Sequence, residues 1–177
     1  GVSSAASDVY KRQAELGPET PKRMLEVGAG HGYLADAAVA AGIQYEYVDL
    51  SLSVHQHMEG RGFVGFCGRL SDAPAEMGYY DIVWMSHVLE HCPTWSEARE
   101  LADAARRRLR AGGHLVVISP DLLSSREHFW SSDWSHGYPT TRRNVTQLIS
   151  DVGLHLHGSL YHRGGSTSLP VRGVLAF

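Results

Sequence analysis

The sequence predicts an α/β fold: a doubly wound, mostly parallel sheet with helices on both faces and a C-terminal antiparallel strand pair. Three observations predict it. Apolar strand-like runs alternate with helix-period segments along the chain, the pattern of parallel strands joined by crossover helices. The first run, Met24-Leu25-Glu26-Val27, passes directly into Gly28-Ala29-Gly30-His31-Gly32 and then into a helix-forming stretch. Glycine lets the backbone turn that tightly. Within His114–Ser119 the apolar residues are continuous, as expected of a central strand covered on both faces.

The elements follow in order. A strand over about Arg23–Val27 precedes a helix with Leu34, Ala37, Ala38 and Ala41 on one face and Gly42 beyond its end. A second strand, about Gln44–Asp49, leads to a short polar helix near Ser53–Glu59, and a third strand covers about Phe63–Phe66. Asp81–Met85 reads as strand four. A helix from near Ser96 to Arg110 would bury Ala98, Leu101, Ala102, Ala105 and Leu109, and His114–Ser119 is strand five. Pro120–Thr140 lacks periodicity; a loop that long in a compact domain is usually functional, here as a lid. A helix over about Arg142–Val152 and two strands, about Leu154–Tyr161 and Val171–Phe177, complete the sheet.

Composition narrows the function classes. The 177 residues are 43% hydrophobic and 20% charged, enough for one globular domain with a sizeable core. A net charge of −3 leaves no nucleic-acid footprint. The basic run Arg106-Arg107-Arg108-Leu109-Arg110 is expected to complement a helix C-terminus rather than bind phosphate. Cys67 and Cys92 are isolated and indicate neither a disulfide framework nor a cysteine metal site. With no 18-residue apolar run and no signal peptide, the expected setting is cytoplasmic, without membrane insertion.

The glycine turn carries the first chemical signal. Its helix start offers unpaired N–H groups. Asp49, seventeen residues beyond Gly32, closes the second strand where an acid takes both hydroxyls of a ribose. The dinucleotide fingerprint G-x-G-x-x-G is not met: the third glycine arrives one residue early, and Tyr33 stands where Gly or Ala is wanted. Glu26, two residues before the turn, would repel a pyrophosphate but suit a ligand with an amino group and a sulfonium. The stretch Glu26-Val27-Gly28-Ala29-Gly30-His31-Gly32 resembles the first motif of class I S-adenosylmethionine-dependent methyltransferases.

Two further segments carry that resemblance. Asp81-Ile82-Val83-Trp84-Met85-Ser86-His87-Val88-Leu89-Glu90-His91 is similar to the fourth motif of the family, in the branch acting largely on small molecules. Leu109–Ile118 matches a landmark after it, so the resemblance covers about Leu25 to Ser119. Asp133-Trp134-Ser135-His136-Gly137-Tyr138-Pro139-Thr140-Thr141, ahead of a helix ending Asp151-Val152-Gly153-Leu154, is also similar to that branch, some of whose members act on sugars and cell-surface precursors.

The resemblance implies a Rossmann-like fold, S-adenosylmethionine as cofactor and a small-molecule or sugar-type acceptor methylated by in-line displacement. It places Glu26 at the amino end of the cofactor and gives the close backbone approach to Gly28, Ala29, Gly30 and Gly32. It puts Asp49 at the ribose, counts Leu50 beside it among the cofactor-binding residues, and sets Met85 and Ser86 beneath the methionine part. The chain departs from the family after strand three, where Phe66-Cys67-Gly68-Arg69-Leu70-Ser71-Asp72 has no acid directly after the glycine. Adenine recognition is therefore assigned to the backbone at Arg69 and Leu70, or to Asp72. The Asn/Asp-Pro-Pro-aromatic run of amino-methylating nucleobase enzymes is missing, which argues against a DNA base as acceptor.

Each signal has a rival. His87-Val88-Leu89-Glu90-His91 matches the H-x-x-E-H metal pattern. That site needs a longer helix and a third ligand, and Pro93 interrupts the helix, so no metal is expected. His55 and His57, on a polar helix, and His155 and His157, on one strand face, read as solvated surface. His136, on the lid, is the favoured general base, with His87 and His91 as alternatives. Phe129, Trp130, Trp134 and Tyr138 either wall a substrate pocket, shielding a sulfonium by cation–π contact, or simply cover a sheet edge. The alternatives to an enzyme are a non-catalytic cofactor-binding subunit or fragment and, behind it, an NAD-dependent oxidoreductase. Ser7–Gln13 resembles translated adapter sequence. Residues 1–13 are thus expected to be non-native, with 14–177 a single methyltransferase domain truncated at one or both ends.

Overall fold

The computed structural model describes residues 23–162 and 172–176; the expected non-native segment and the outermost residues of the expected last strand lie outside them. Five parallel strands form the body of the sheet: β1 (Arg23–Val27), β2 (Gln44–Asp49), β3 (Val64–Cys67), β4 (Tyr80–Ser86) and β5 (Leu109–Pro120). Strands β6 (Gly158–His162) and β7 (Arg172–Ala176) pair antiparallel with each other, and β7 runs antiparallel to β5. The spatial order is β3-β2-β1-β4-β5-β7-β6, so the chain reverses its direction of winding between β1 and β4. Crevices at such switch points, beyond the carboxyl ends of the strands, are where ligands bind in open α/β sheets.

Alternate strand residues serve the two faces, as pleating demands. Met24, Ile82, Trp84 and Val116 join a core with α1 (Tyr33–Ala40) and α2 (Leu52–Gly60), through Leu34, Ala35, Ala38 and Met58. Leu25, Val83, Met85, Leu115 and Val117 face the other way, onto α3 (Trp95–Arg107) and α6 (Arg142–Asp151). Side-chain caps start α2, α3 and α6: Ser51 Oγ accepts from Val54 N–H, Thr94 Oγ1 from Glu97 N–H and Thr141 Oγ1 from Asn144 N–H.

Three expectations are corrected. Helix α3 stops at Arg107 and β5 begins at Leu109, so Arg108 to Gly113 are not helix followed by loop. Arg108 C=O accepts the Tyr80 N–H at 2.8 Å, and its guanidinium donates to the carbonyls of Ala73 and Pro74. This seats Leu109 opposite Tyr80, ahead of a register shift. The segment Pro120–Thr140 carries two short helices, α4 (Leu122–Ser125) and α5 (Glu127–Ser131), broken at Arg126, where φ is 50°. Asp121 caps the first, its carboxylate accepting from Ser124 N–H, and Phe129 of the second is buried. Strand β6 begins at Gly158, so His155 and His157 precede it. His114 and His157 meet ring to ring at 6.0 Å.

The basic run is tied up locally. Arg106 and Arg107 pair with Asp103, and Arg110 pairs with Asp81. Among the described residues, no helix is long and apolar enough to cross a membrane.

Candidate functional site

The glycine turn sits at the carboxyl end of β1, in the crevice between β2 and β4. Gly28 has φ 79° and donates its N–H to Val48 C=O at 2.8 Å, fastening the turn to β2. A Cβ at Gly28 would stand 2.6 Å from Val88 Cγ2, so the turn after β4 closes directly over it. At Gly30 the situation is reversed. Its φ is 53°, a Cβ there would meet nothing within 4 Å among the described residues, and its N–H points at Asp49 Oδ2 from 3.4 Å. Open space beside a carboxylate and an exposed backbone is what a ligand cradle requires. Ala29 is buried under the turn, and Gly32 starts α1 in the left-handed region with Met58 and Arg61 against it.

Asp49 is held ready. Its Oδ1 accepts Ser51 N–H at 2.8 Å, fixing the carboxylate at the mouth of the crevice. Leu50 beside it is 73% exposed, an apolar surface at the crevice rim. Glu26 is buried behind the turn and accepts the Tyr45 hydroxyl proton on Oε2. Burial pushes its carboxyl up to about 8; the Tyr45 hydrogen bond works against that rise, and the nearby Asp49 charge adds to it. Burial and Glu26 together push the Tyr45 hydroxyl far above its ordinary range.

On the other side of the crevice the expected residues divide. Ser86 is half-buried at the end of β4, but the Met85 and Leu70 side chains are packed in the core, so only their backbones can meet a ligand. Arg69 lies exposed with its guanidinium 3.8 Å from Glu97 on α3. Asp72 closes the 3-10 turn Leu70–Asp72 and accepts from Ser71 Oγ at 3.0 Å. His55 does not read as solvated surface: its Nδ1 lies 2.9 Å from the Tyr47 hydroxyl and its Nε2 3.4 Å from Glu59.

The segment after β4 gathers the histidines. His87 adopts φ 55°, unusual for a residue with a side chain, and its N–H donates to Ile118 C=O at 2.8 Å. Its Nδ1 lies 3.0 Å from Oε1 of Glu90, which is fully buried. Among the described residues, His87 Nε2 and Glu90 Oε2 are both buried without a hydrogen-bond partner. Instead of continuing as a helix, the chain makes the 3-10 turn Leu89–His91. That turn receives the far end of the expected lid. Gly137 N–H and Tyr138 N–H both donate to Glu90 C=O, at 2.8 and 3.1 Å. A Cβ at Gly137 would stand 2.6 Å from Cys92 C=O, so only glycine permits this approach. The Pro120–Thr140 segment is also cinched at its base: Thr140 Oγ1 donates to Pro120 C=O at 2.6 Å, and Leu122 N–H to Thr140 C=O at 2.8 Å. His136 is therefore anchored, with its ring 5.0 Å from that of His91. Trp134, two residues before it, is 95% exposed, whereas Phe129 and Tyr138 are buried.

As the interruption at Pro93 leads one to expect, the H-x-x-E-H match of His87 with His91 forms no helical face, because the chain there is a 3-10 turn. A different set converges: ligand-capable atoms of Glu90, His91 and His136 lie within 4.8 Å of one another. His136 is the third side chain that the local pattern lacked. The sequence motifs include Val88, Glu90, Asp133 and Ser135 but give none of them a role in the site. The spacing Asp133-x-Ser135 is a signal for the last two, because polar side chains two apart in a turn cross-link it.

A family model described as a methyltransferase domain matches residues 2–157. A "Probable S-adenosylmethionine-dependent methyltransferase" of Mycobacterium tuberculosis is 31% identical over 119 residues, 66% of this chain; the match spans 41% of the relative's length. In three dimensions the chain is similar to a S-adenosylmethionine-dependent methyltransferase from Clostridium acetobutylicum (TM-score 0.77, 9% identity, 97% of this chain and 89% of that one). It is also similar to the N-methyltransferase NodS of Bradyrhizobium japonicum in complex with S-adenosyl-L-homocysteine (TM-score 0.72, 15% identity, 97% and 85%). At those identities the two structures speak for the fold.

Proposed function

The chain belongs to the class I S-adenosylmethionine-dependent methyltransferase family, and from that premise we propose that it methylates a small-molecule or sugar-type acceptor. The observation that carries the reading is the junction of the glycine turn with Asp49, where an open cradle at Gly30 faces a fixed carboxylate. The donor set fits S-adenosylmethionine: a carboxylate for the ribose, a buried acid for the amino group, and an exposed Leu50 for an apolar ring. Bound there, that cofactor supplies a methyl group already activated on a sulfonium.

What remains for the protein is holding and alignment, which can supply much of the rate in such a displacement. Asp49 takes the ribose hydroxyls. Glu26 pairs with the amino group. Gly28, Ala29, Gly30 and Gly32 give the backbone approach, Ser86 and the Met85 backbone lie beneath the methionine part, and the Arg69–Leu70 backbone serves the adenine. The Pro120–Thr140 segment, anchored at both ends, covers the crevice and excludes water. An acceptor that must lose a proton finds His136, His87 and His91 at the same turn. A small acceptor is supported by the net charge of −3 and by the local pairing of the basic run.

Calorimetry with S-adenosylmethionine and with NAD tests the cofactor; the first is expected to bind and the second not. Turnover in a broad acceptor screen then separates an enzyme from a binding subunit. Cofactor binding with no turnover on any hydroxyl, amine or sugar acceptor would end the enzyme reading.

A further inference from the structure

We propose that Glu90, His91 and His136 form a divalent transition-metal site, of the type that takes zinc, where the turn after β4 meets the lid. Three side chains from two distant segments bring ligand-capable atoms within 4.8 Å of one another. Tetrahedral ligation at about 2.0–2.1 Å spaces ligand atoms ~3.4 Å apart, so small side-chain adjustments close the site.

The hydrogen bonds around the three leave each with a lone pair for an ion. Phe129 C=O can only accept, so the 2.5 Å contact from His136 Nδ1 places the proton on Nδ1 and the lone pair on Nε2. Ser135 Oγ donates to Asp133 Oδ1 at 2.6 Å, which leaves it accepting from His91 Nδ1–H at 2.9 Å. The His91 lone pair is thus also on Nε2. Ser135 N–H donates to the same Asp133 oxygen, and these two bonds hold the Asp133 carboxyl below its ordinary range. An acid acting through a hydroxyl on the far nitrogen of an imidazole is the kind of outer partner that orients metal-binding histidines. Glu90 is treated in the same way. Oε1 is taken by His87, whereas Oε2 is buried and has no hydrogen-bond partner among the described residues, an arrangement that costs free energy unless something meets it.

Two imidazoles and one carboxylate are three protein ligands. A tetrahedral ion would keep a fourth position open, the ligand count of catalytic rather than structural zinc. On the methyl-transfer reading, that position suits an oxygen of the acceptor, whose proton the ion would make easier to remove. His91 and His136 would then serve as ligands, leaving His87 as the imidazole outside the set.

The test uses untagged full chain stripped with a chelator and titrated with Zn²⁺ alone by calorimetry, with Co²⁺ absorption reporting coordination. One equivalent should bind, with the visible bands of four-coordinate cobalt. Glu90→Gln keeps an acceptor for His87 but loses the anion, and it should weaken binding at least tenfold, as should His136→Ala. Ser135→Ala should cost about 10–100-fold through His91 orientation. His57→Ala, on the exposed face of α2, should change nothing. No saturable binding at one equivalent, or binding that Glu90→Gln and Ser135→Ala both leave intact, overturns the site. S-adenosylmethionine calorimetry on the same samples keeps the two readings apart. Loss of cofactor binding with zinc retained sinks the proposed function alone, and the converse sinks only the metal site.

Discussion

Replacing Glu26 by Gln should reshape the pH dependence of stability. An ordinary glutamate releases its proton near 4.5; in the folded chain burial delays that to about 8. The folded state therefore binds a proton that the unfolded state has already lost. Stability is fully present below about 4.5 and falls as pH rises toward 8, by about 1.4 kcal/mol per pH unit. Over the whole window the loss is roughly 5 kcal/mol, a large share of the 5–15 kcal/mol typical of a domain. Above 8 the profile is level with respect to this group. In Glu26→Gln the side-chain carbonyl still accepts from Tyr45, but nothing titrates. Urea unfolding of both proteins from pH 5 to 9, without cofactor, should show the variant gaining on the wild type steadily up to about pH 8. Parallel profiles would refute the burial argument. A linked measurement reaches function. If the cofactor amino group holds Glu26 ionised, binding at pH 7 must release close to one proton, visible by calorimetry in buffers of different ionisation enthalpy. Glu26→Gln should release none, and proton-neutral binding by the wild type would remove Glu26 from the amino end.

Asp49→Asn keeps an acceptor for Ser51 N–H but drops the charge; cofactor affinity should fall by about 1.5–3 kcal/mol with the melting temperature little changed, and an unaltered Kd would remove Asp49 from the ribose. Gly28→Ala drives a methyl into Val88 in a left-handed backbone, so about 1–3 kcal/mol of stability should go, and the Gly28→Ala/Val88→Ala pair should behave better than additively in denaturant melts. Additive losses would show that the turn after β4 does not press on the glycine turn. Tyr80→Phe strips a 2.8 Å hydrogen bond from buried Glu46, which Arg23 holds from the other side; about 1.5–3 kcal/mol should be lost in unfolding experiments, with cofactor binding untouched because the pair lies at the far end of the strands.

Most of the sheet was legible because its signals are local. Arg23–Val27 and Gln44–Asp49 have the strand limits the pattern predicts, and Thr141 caps the helix that follows the lid. The errors fall where distant partners override local pattern. Nothing near Arg108 announces that its carbonyl will take the Tyr80 N–H, and that bond ends α3 early. Nothing near His55 announces the Tyr47 hydroxyl. The approach of the glycine turn to Asp49 could be read from spacing alone, since β1 and β2 are neighbours in sequence and in space. The histidine cluster could not be. Its two halves are 44 residues apart at Ser135 and His91, and their meeting depends on a glycine, Gly137, whose role is visible only against Cys92 and Pro93.

The two regions are mechanically one. Val88 packs on Gly28, so the glycine turn and the turn after β4 share a contact surface. Glu90, two residues on, lends its carbonyl to Gly137 and Tyr138 and its side chain to His87. A shift of the glycine turn on cofactor binding would therefore press, through Val88, on the segment that anchors the lid and positions three imidazoles. Rigid close packing transmits such displacements instead of absorbing them. Protection of the Pro120–Thr140 segment from proteolysis by S-adenosylmethionine should accordingly be strong in the wild type. It should be lost in Val88→Gly, which leaves every group placed at the cofactor intact but removes the piston. Equal protection in both proteins would mean that the cofactor meets the lid directly and that the Val88 contact carries no signal.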